Sequence, residues 1–223
     1  AKEKRNGNGG INPVYAAMVE SVDQNVGRLL DKLEEWNLSQ NTVIIFASDN
    51  GALNRVANNS PYRSGKGHLY EGGIRVPLIM KWPGHIDSDA ISSTLTQSED
   101  IYATIIDISG TEKQANKPLD GHSLVNDFTG KKREGKVELH WYYPHYSPQG
   151  NTPGAAIRSG KWKLIEFYDP PKIELYNLVK DPGETNDISE DVPWKVQELT
   201  SKLHLWLHET NPILHAMNPE YKK

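Results

Sequence analysis

"IIFASDNG", residues 44–51, is an apolar run that stops at two oxygen-bearing side chains, Asp49 and Asn50, and a glycine. The continuous apolar stretch 42–47, rich in β-branched residues, predicts a short strand covered on both faces, as in a parallel sheet. In such sheets ligands gather beyond the carboxyl ends of the strands, and Asp49 and Asn50 stand at such an end. A carboxylate and a side-chain carbonyl are hard oxygen donors of the kind calcium or magnesium takes, and Gly51 lets the chain turn with no Cβ in the way. Asp-Asn-Gly is also a common turn sequence, so these three residues alone leave both readings open.

Working outward, Asn12 can cap a helix and Pro13 can occupy its first turn, where a missing N–H costs nothing. Tyr15, Met18, Val19, Val22, Val26, Leu29, Leu30 and Leu33 recur at three- and four-residue steps and predict one apolar stripe, ended by the polar "NLSQN". Residues 76–82 read as a second strand closed by Pro83-Gly84, and 98–109 as a helix stopped by Gly110. Helix followed by buried strand is half of a βαβ unit, so the chain to about residue 135 reads as α/β. Beyond it the pattern changes. "AAIRSGKWKLIEFY" and "KIELYNL" read as antiparallel strands, with Ser159-Gly160 and "DPPK" as tight turns. From Pro193, the residues Val196, Leu199, Leu203, Trp206 and Leu207 predict a closing amphipathic helix over one face of that sheet. The expected domains are therefore 1–135, α/β, and 136–223, a small antiparallel sheet with a C-terminal helix, joined through 111–136.

Composition narrows the function classes. The 223 residues carry a formal charge of -4, 36% hydrophobic residues, ten tyrosines, six tryptophans and no cysteine. The dispersed charge forms no basic stripe, so nucleic acid is not an expected partner. Without cysteine there is no disulfide, thiolate metal site or cysteine nucleophile. No stretch approaches the ~20 apolar residues of a membrane span, so no membrane partner is expected either. The opening "AKEKRNGNGG" reads as a polar loop rather than a signal peptide.

The stretch "NSPYRSGKGHLYEGGIRVPLIMKWPG", residues 59–84, sharpens the reading. Lys66 lies between two glycines, which allow a tight loop to bring an ammonium against an anionic ligand. The succession of strand, Asp-Asn-Gly, Arg-x-Gly-Lys-Gly, Glu-Gly-Gly, Arg-Val-Pro and Trp-Pro-Gly closely resembles the sulfatase family of the alkaline-phosphatase superfamily, the arylsulfatases and polysaccharide sulfatases. "NPVYAAMVESVDQNVGRLLDKL", "LDGHSL" with "FTG", "IRSGKWKLI", "ELYNL" and "DPGETND" extend the resemblance to essentially the whole chain.

The resemblance implies the C-terminal part of a sulfatase. In it Asp49 and Asn50 would be two ligands of a single calcium ion, and Lys66 would contact the sulfate and act in catalysis. It also implies a formylglycine nucleophile, made from cysteine or serine in a Cys/Ser-x-Pro-x-Arg motif, whose hydrate attacks sulfur. No such motif is present; Asn59-Ser60-Pro61-Tyr62-Arg63 has the spacing but begins with asparagine. The nucleophile and the remaining metal ligands are therefore expected in a missing N-terminal part, and the chain alone is expected to be inactive. The implied substrate is a sulfated small molecule or carbohydrate, and the implied location periplasmic or secreted.

Further candidates carry a bland reading beside the functional one. His68 follows Lys66 by two residues and could face the same anion, or be a solvated loop histidine. Within "HWYYPHYSPQG", residues 140–150, Tyr143 and His145 are candidate substrate-lining residues, with interdomain packing as the alternative. Glu71 and Arg75 are expected to pair around Gly72-Gly73. His204, His208 and His215 read as a solvated helix face rather than a metal site. Two rivals remain open: a phosphomonoester or phosphonate hydrolase of the same superfamily, and a non-catalytic glycan-binding module. A partial α/β sheet should expose apolar edges and faces, so a homo-oligomer is expected.

Overall fold

The computed structural model describes residues 12–111, 119–128 and 137–213. The opening loop, His215 and the expected boundary at 135/136 lie outside the described residues. Helix α1 (Pro13–Glu35) begins where the sequence predicts: Asn12 Oδ1 accepts from Val14 N at 2.9 Å and Tyr15 N at 3.2 Å. Strand β1 spans Ile44–Ala47 and pairs with β2 (Leu78–Lys81) in a two-stranded sheet. Two more helices follow, α3 (Ser98–Ser109) and α4 (Val125–Phe128), after the single turn α2 (Glu71–Ile74). Then come β3 (Glu138–Tyr143), β4 (Gly154–Ser159), β5 (Trp162–Tyr168), β6 (Pro171–Asn177) and α5 (Pro193–Thr210).

Among the described residues the chain forms two compact units that interleave in sequence. One comprises 12–26, 47–78 and 140–213; the other comprises 27–46, 79–111, 119–128 and 137–139. In the second unit, α3 starts with the Asp100 carboxylate accepting from Gln97 N (2.9 Å) and ends at Gly110, whose φ of +65° suits glycine. The same carboxylate accepts from His122 N (2.7 Å), and Thr104 Oγ1 accepts from Leu124 N (3.0 Å), which fastens the "GHSL" segment to α3. One expectation, the coverage of β1 on both faces, is corrected here. No residue of β1 is buried, because a two-stranded ribbon cannot enclose its own side chains, and Ile79 of β2 is 61% exposed. The apolar stripe of α1 is likewise open, with Met18 62% and Leu29 67% exposed.

In the first unit the C-terminal sheet has the order β3-β4-β5-β6; β4–β5 and β5–β6 are antiparallel as expected, and β3 is an additional strand the sequence reading did not predict. The β4–β5 turn is one residue later than the sequence suggests: Ser159 pairs with Trp162, and Gly160-Lys161 make the two-residue loop, Gly160 at φ +58°. The strands alternate between two apolar clusters. Ala155, Ile157, Leu164 and Leu175 meet Leu199 and Leu203 of α5 on one face. On the other, Ala156, Ile165 and Tyr176 meet Leu69 and Tyr70 of the loop that carries Lys66. Leu164, Ile165, Leu199 and Leu203 are fully buried, each contributing roughly 1.5–3 kcal/mol relative to exposure. The sheet is thus a platform with α5 on one side and the Lys66 loop on the other.

Candidate functional site

The turn after β1 and the lysine loop are joined by backbone. Gly51 N donates to Gly73 O (2.9 Å), and Lys66 N donates to Ala52 O (3.1 Å). Glycine is required at this knot because the chains nearly touch. A Cβ on Gly51 would stand 1.7 Å from Gly72 O, and one on Gly72 would stand 2.3 Å from Ser64 O. Asn59 adds a side-chain clasp, accepting from Ala52 N (3.0 Å) and donating to Ala52 O (2.8 Å). The residue that breaks the Cys/Ser-x-Pro-x-Arg pattern is therefore part of the scaffold that brings the Asp49 turn to the Lys66 loop.

Asp49 is exposed and accepts from Asn50 N (2.9 Å), while Asn50 Nδ2 donates to Gly51 O (3.1 Å), which leaves the side-chain Oδ1 of Asn50 available. One carboxylate and one amide oxygen side by side fit a hard cation chemically, yet calcium takes about six to eight oxygens. Among the described residues no three His, Asp or Glu side chains converge to hold a metal ion. Lys66 is exposed, flanked by buried Gly65 and by Gly67 at φ +84°, and makes no ion pair among the described residues. His68 is half-buried, its Nδ1 3.2 Å from Gly65 O. Tyr143 packs against the Leu69–Tyr70 cluster, and His145, exposed, meets its ring edge-on at 5.7 Å. His140 stacks on Trp206 (4.9 Å), and His204 bonds Glu166 (2.8 Å).

What holds the loop was not anticipated in the sequence beyond the Glu71–Arg75 pair, which forms at 3.7 Å. Glu71 also meets Lys163 Nζ at 3.0 Å and Arg158 at 3.4 Å, and all but Arg75 are largely shielded from water. Lys163 Nζ reaches Glu184 Oε1 at 2.8 Å, a charge contact rather than a well-aligned hydrogen bond, while Glu184 Oε2 accepts from Glu71 N at 2.6 Å. Glu184 holds φ +51°, outside the usual range for a side-chain-bearing residue. Beside this triad, Arg63 lies over the Tyr70 ring (3.9 Å) and donates to Tyr176 Oη (2.9 Å) and Glu184 O (3.0 Å). A sequence signal did exist: Lys163 and Glu174 interrupt apolar strands two residues before Ile165 and Tyr176, which face the core.

Glu174 accepts from Tyr176 Oη (2.7 Å), Tyr70 Oη (2.8 Å) and Lys172 Nζ (2.6 Å). Burial pushes its pKa up, but these hydrogen bonds outweigh burial and hold it below the ordinary value. A depressed carboxylate contributes stability above its unfolded pKa, about 4.3, and loses it as pH falls through the folded value. Burial raises Glu184 despite Lys163, so its slope has the opposite sign, stability falling as pH rises above about 4.3. Glu174→Gln is therefore expected to flatten the acid-side fall in melting temperature between pH 5 and 3, whatever its effect at pH 7. An unchanged acid slope would remove Glu174 from this role.

An α/β segment ending in an Asp-Asn turn, knotted to a glycine-flanked lysine on a helix-backed antiparallel sheet, defines the C-terminal part of an alkaline-phosphatase-superfamily fold. The family model for sulfatases matches residues 2–111, and that for the C-terminal region of N-sulphoglucosamine sulphohydrolase matches 64–212. The chain belongs to the sulfatase family. A sulfatase of Formosa agariphila is 36% identical over 88% of this chain and 40% of its own length. The crystal structure of Ps i-CgsB with k-i-k-neocarrahexaose is 28% identical, covering 92% of this chain and 45% of that one at a TM-score of 0.77. A structure bound to its substrate D-glucosamine-2-N,6-O-disulfate is 27% identical, covering 87% and 40%, with a TM-score of 0.74. The chain thus spans about two fifths of the length of the curated relatives it matches.

Proposed function

We propose that this chain is the C-terminal part of an enzyme that hydrolyses sulfate esters on a carbohydrate. The observation that carries the reading is the backbone knot, Gly51 to Gly73 and Lys66 to Ala52, which brings two oxygen donors and an ammonium without an ion pair among the described residues onto one scaffold. The sugar ligands of the relatives, a neocarrahexaose and a glucosamine disulfate, support the substrate class. Asp49 and Asn50 would supply two oxygens to a calcium ion, which would polarise the sulfate, and Lys66 would neutralise charge developing on the sulfuryl oxygens. The nucleophile that the family resemblance implies, a formylglycine, would come from outside these 223 residues.

The test is a chimera in which this chain replaces the matching portion of the Formosa agariphila relative. Calcium-dependent release of sulfate from a 6-O-sulfated sugar is expected from the chimera, and none from the chain alone. Turnover of a phosphonate monoester in place of the sulfate ester would move the reading to the rival hydrolase. In a calcium titration of the chain alone, two oxygen donors are expected to give only weak binding, because affinity rises with ligand number and rigidity. Tight stoichiometric binding abolished by Asp49→Ala would contradict the shared-site reading.

Self-association of the chain belongs to the same proposal. Val14, Met18, Val22 and Leu29 leave a row of apolar side chains on α1 more than half exposed, a face that association with a second copy would cover. Light scattering is expected to show mass rising with concentration; a constant 25.1 kDa particle would refute it.

A further inference from the structure

Within the first unit, beside the Lys66 loop, a pocket of about 280 Å³ is lined by residues that include His68, Tyr70, Phe167, Lys172 and Glu174. It is close to the lower end of ligand-pocket sizes, roughly 300 Å³, which suits a single ring rather than a long chain. Its chemistry is one-sided. Phe167 and Tyr70, their rings 6.0 Å apart, supply an aromatic wall. Both oxygens of Glu174 are engaged, Oε2 by two tyrosine hydroxyls and Oε1 by Lys172, and its side chain is buried. Glu174 therefore serves to hold the Lys172 ammonium, whose side chain is 57% exposed and keeps two further N–H donors. His68 Nδ1 donates to Gly65 O, which leaves Nε2 to accept from a hydroxyl.

An aromatic face, a tethered ammonium and an imidazole acceptor, with the one carboxylate already paired, match a sugar ring that bears hydroxyl and anionic substituents. The Glu174 charge in the lining is already offset by Lys172. We propose that this pocket is a saccharide subsite. The ring of a sulfated sugar rests on Phe167, one hydroxyl donates to His68 Nε2, and Lys172 Nζ donates to a second oxygen of the ring's substituents. The assignment rests on the reading of Lys66, two residues from His68, as the group that takes the sulfate of the same ligand.

The experiment is an NMR titration of the isotopically labelled 223-residue chain with N-acetylglucosamine 6-sulfate, N-acetylglucosamine and inorganic sulfate. Both sugars are expected to shift the amides of residues 150–152 and 167–174. Phe167→Ala and Lys172→Met should each raise the sugar Kd roughly three- to tenfold while leaving inorganic sulfate binding unchanged. Phe167→Leu, which keeps an apolar side chain but loses the aromatic face, should show the same direction if the alanine variant folds poorly. Equal sugar affinity in wild type, Phe167→Leu and Lys172→Met would overturn the subsite, as would shifts confined to other residues. The two readings separate cleanly. A sulfate response lost in Lys66→Ala, with no Phe167-dependent sugar response, removes the subsite and keeps the sulfatase reading. A Phe167-dependent response to N-acetylglucosamine, with no Lys66-dependent sulfate response, keeps the subsite and removes the sulfate assignment.

Discussion

Lys66→Ala, placed in the chimeric enzyme, is expected to lower kcat/KM for a sulfate ester by about 10²–10³, the cost of removing one preorganised electrostatic stabiliser. The structure makes this substitution clean. The Lys66 side chain is exposed and has no ion-pair partner among the described residues, while its backbone N–H is held by Ala52 O and its neighbours are glycines. Truncation should then remove a charge without disturbing the knot, and the melting temperature should match wild type, as for ordinary surface substitutions, within about 0.5 kcal/mol. Lys66→Arg should recover only part of the rate, because a planar fork cannot reproduce a compact ammonium. A fall in kcat/KM of less than about threefold, with stability unchanged, would take Lys66 out of catalysis.

The largest stability effect is expected from Lys163→Ala, about 3–5 kcal/mol in chemical denaturation, because removing one partner of a buried ion cluster leaves uncompensated charge. Lys163 and Glu184 are fully shielded from solvent and Glu71 nearly so, with the ammonium reaching one carboxylate at 3.0 Å and the other at 2.8 Å. Glu71 keeps Arg158 and Arg75 within ion-pair distance when Lys163 is lost, whereas the Glu184 carboxylate keeps the hydrogen bond from Glu71 N. Adding Glu184→Gln to Lys163→Met should therefore restore part of the loss, a coupling that a double-mutant cycle reads directly. The same change should reach the site. Glu71 begins the turn whose Gly73 carbonyl holds Gly51, so amide exchange at Gly51 should accelerate in Lys163→Ala. Additive effects of the two substitutions, with exchange at Gly51 unchanged, would show that the triad does not support the loop.

Much of the architecture was legible because it rests on local chemistry. Asn12 caps α1, Gly110 ends α3, the Gly160 region turns β4 into β5, and the α5 stripe from Val196 to Leu207 packs on the sheet. These follow from capping, positive φ and apolar periodicity, which a few neighbouring residues decide. The coverage of β1 was not legible in that way, because an apolar run states a preference for burial without supplying the elements that would bury it.

The sequence by itself determined the family, through the ordered motifs from Asp49 to Gly84, and the identity of the candidate donors Asp49, Asn50 and Lys66. Tertiary structure alone decided how they are held. Lys163 and Glu184 lie 92 and 113 residues from the Glu71 they secure, separations that no local pattern encodes. It also decided that Tyr143 packs against the Leu69–Tyr70 cluster, and that Phe167, Lys172 and His68 line one pocket. The physical reason is common to these cases. Caps and turns are satisfied by neighbours in sequence, whereas buried charge and pocket walls require partners that only folding brings within reach.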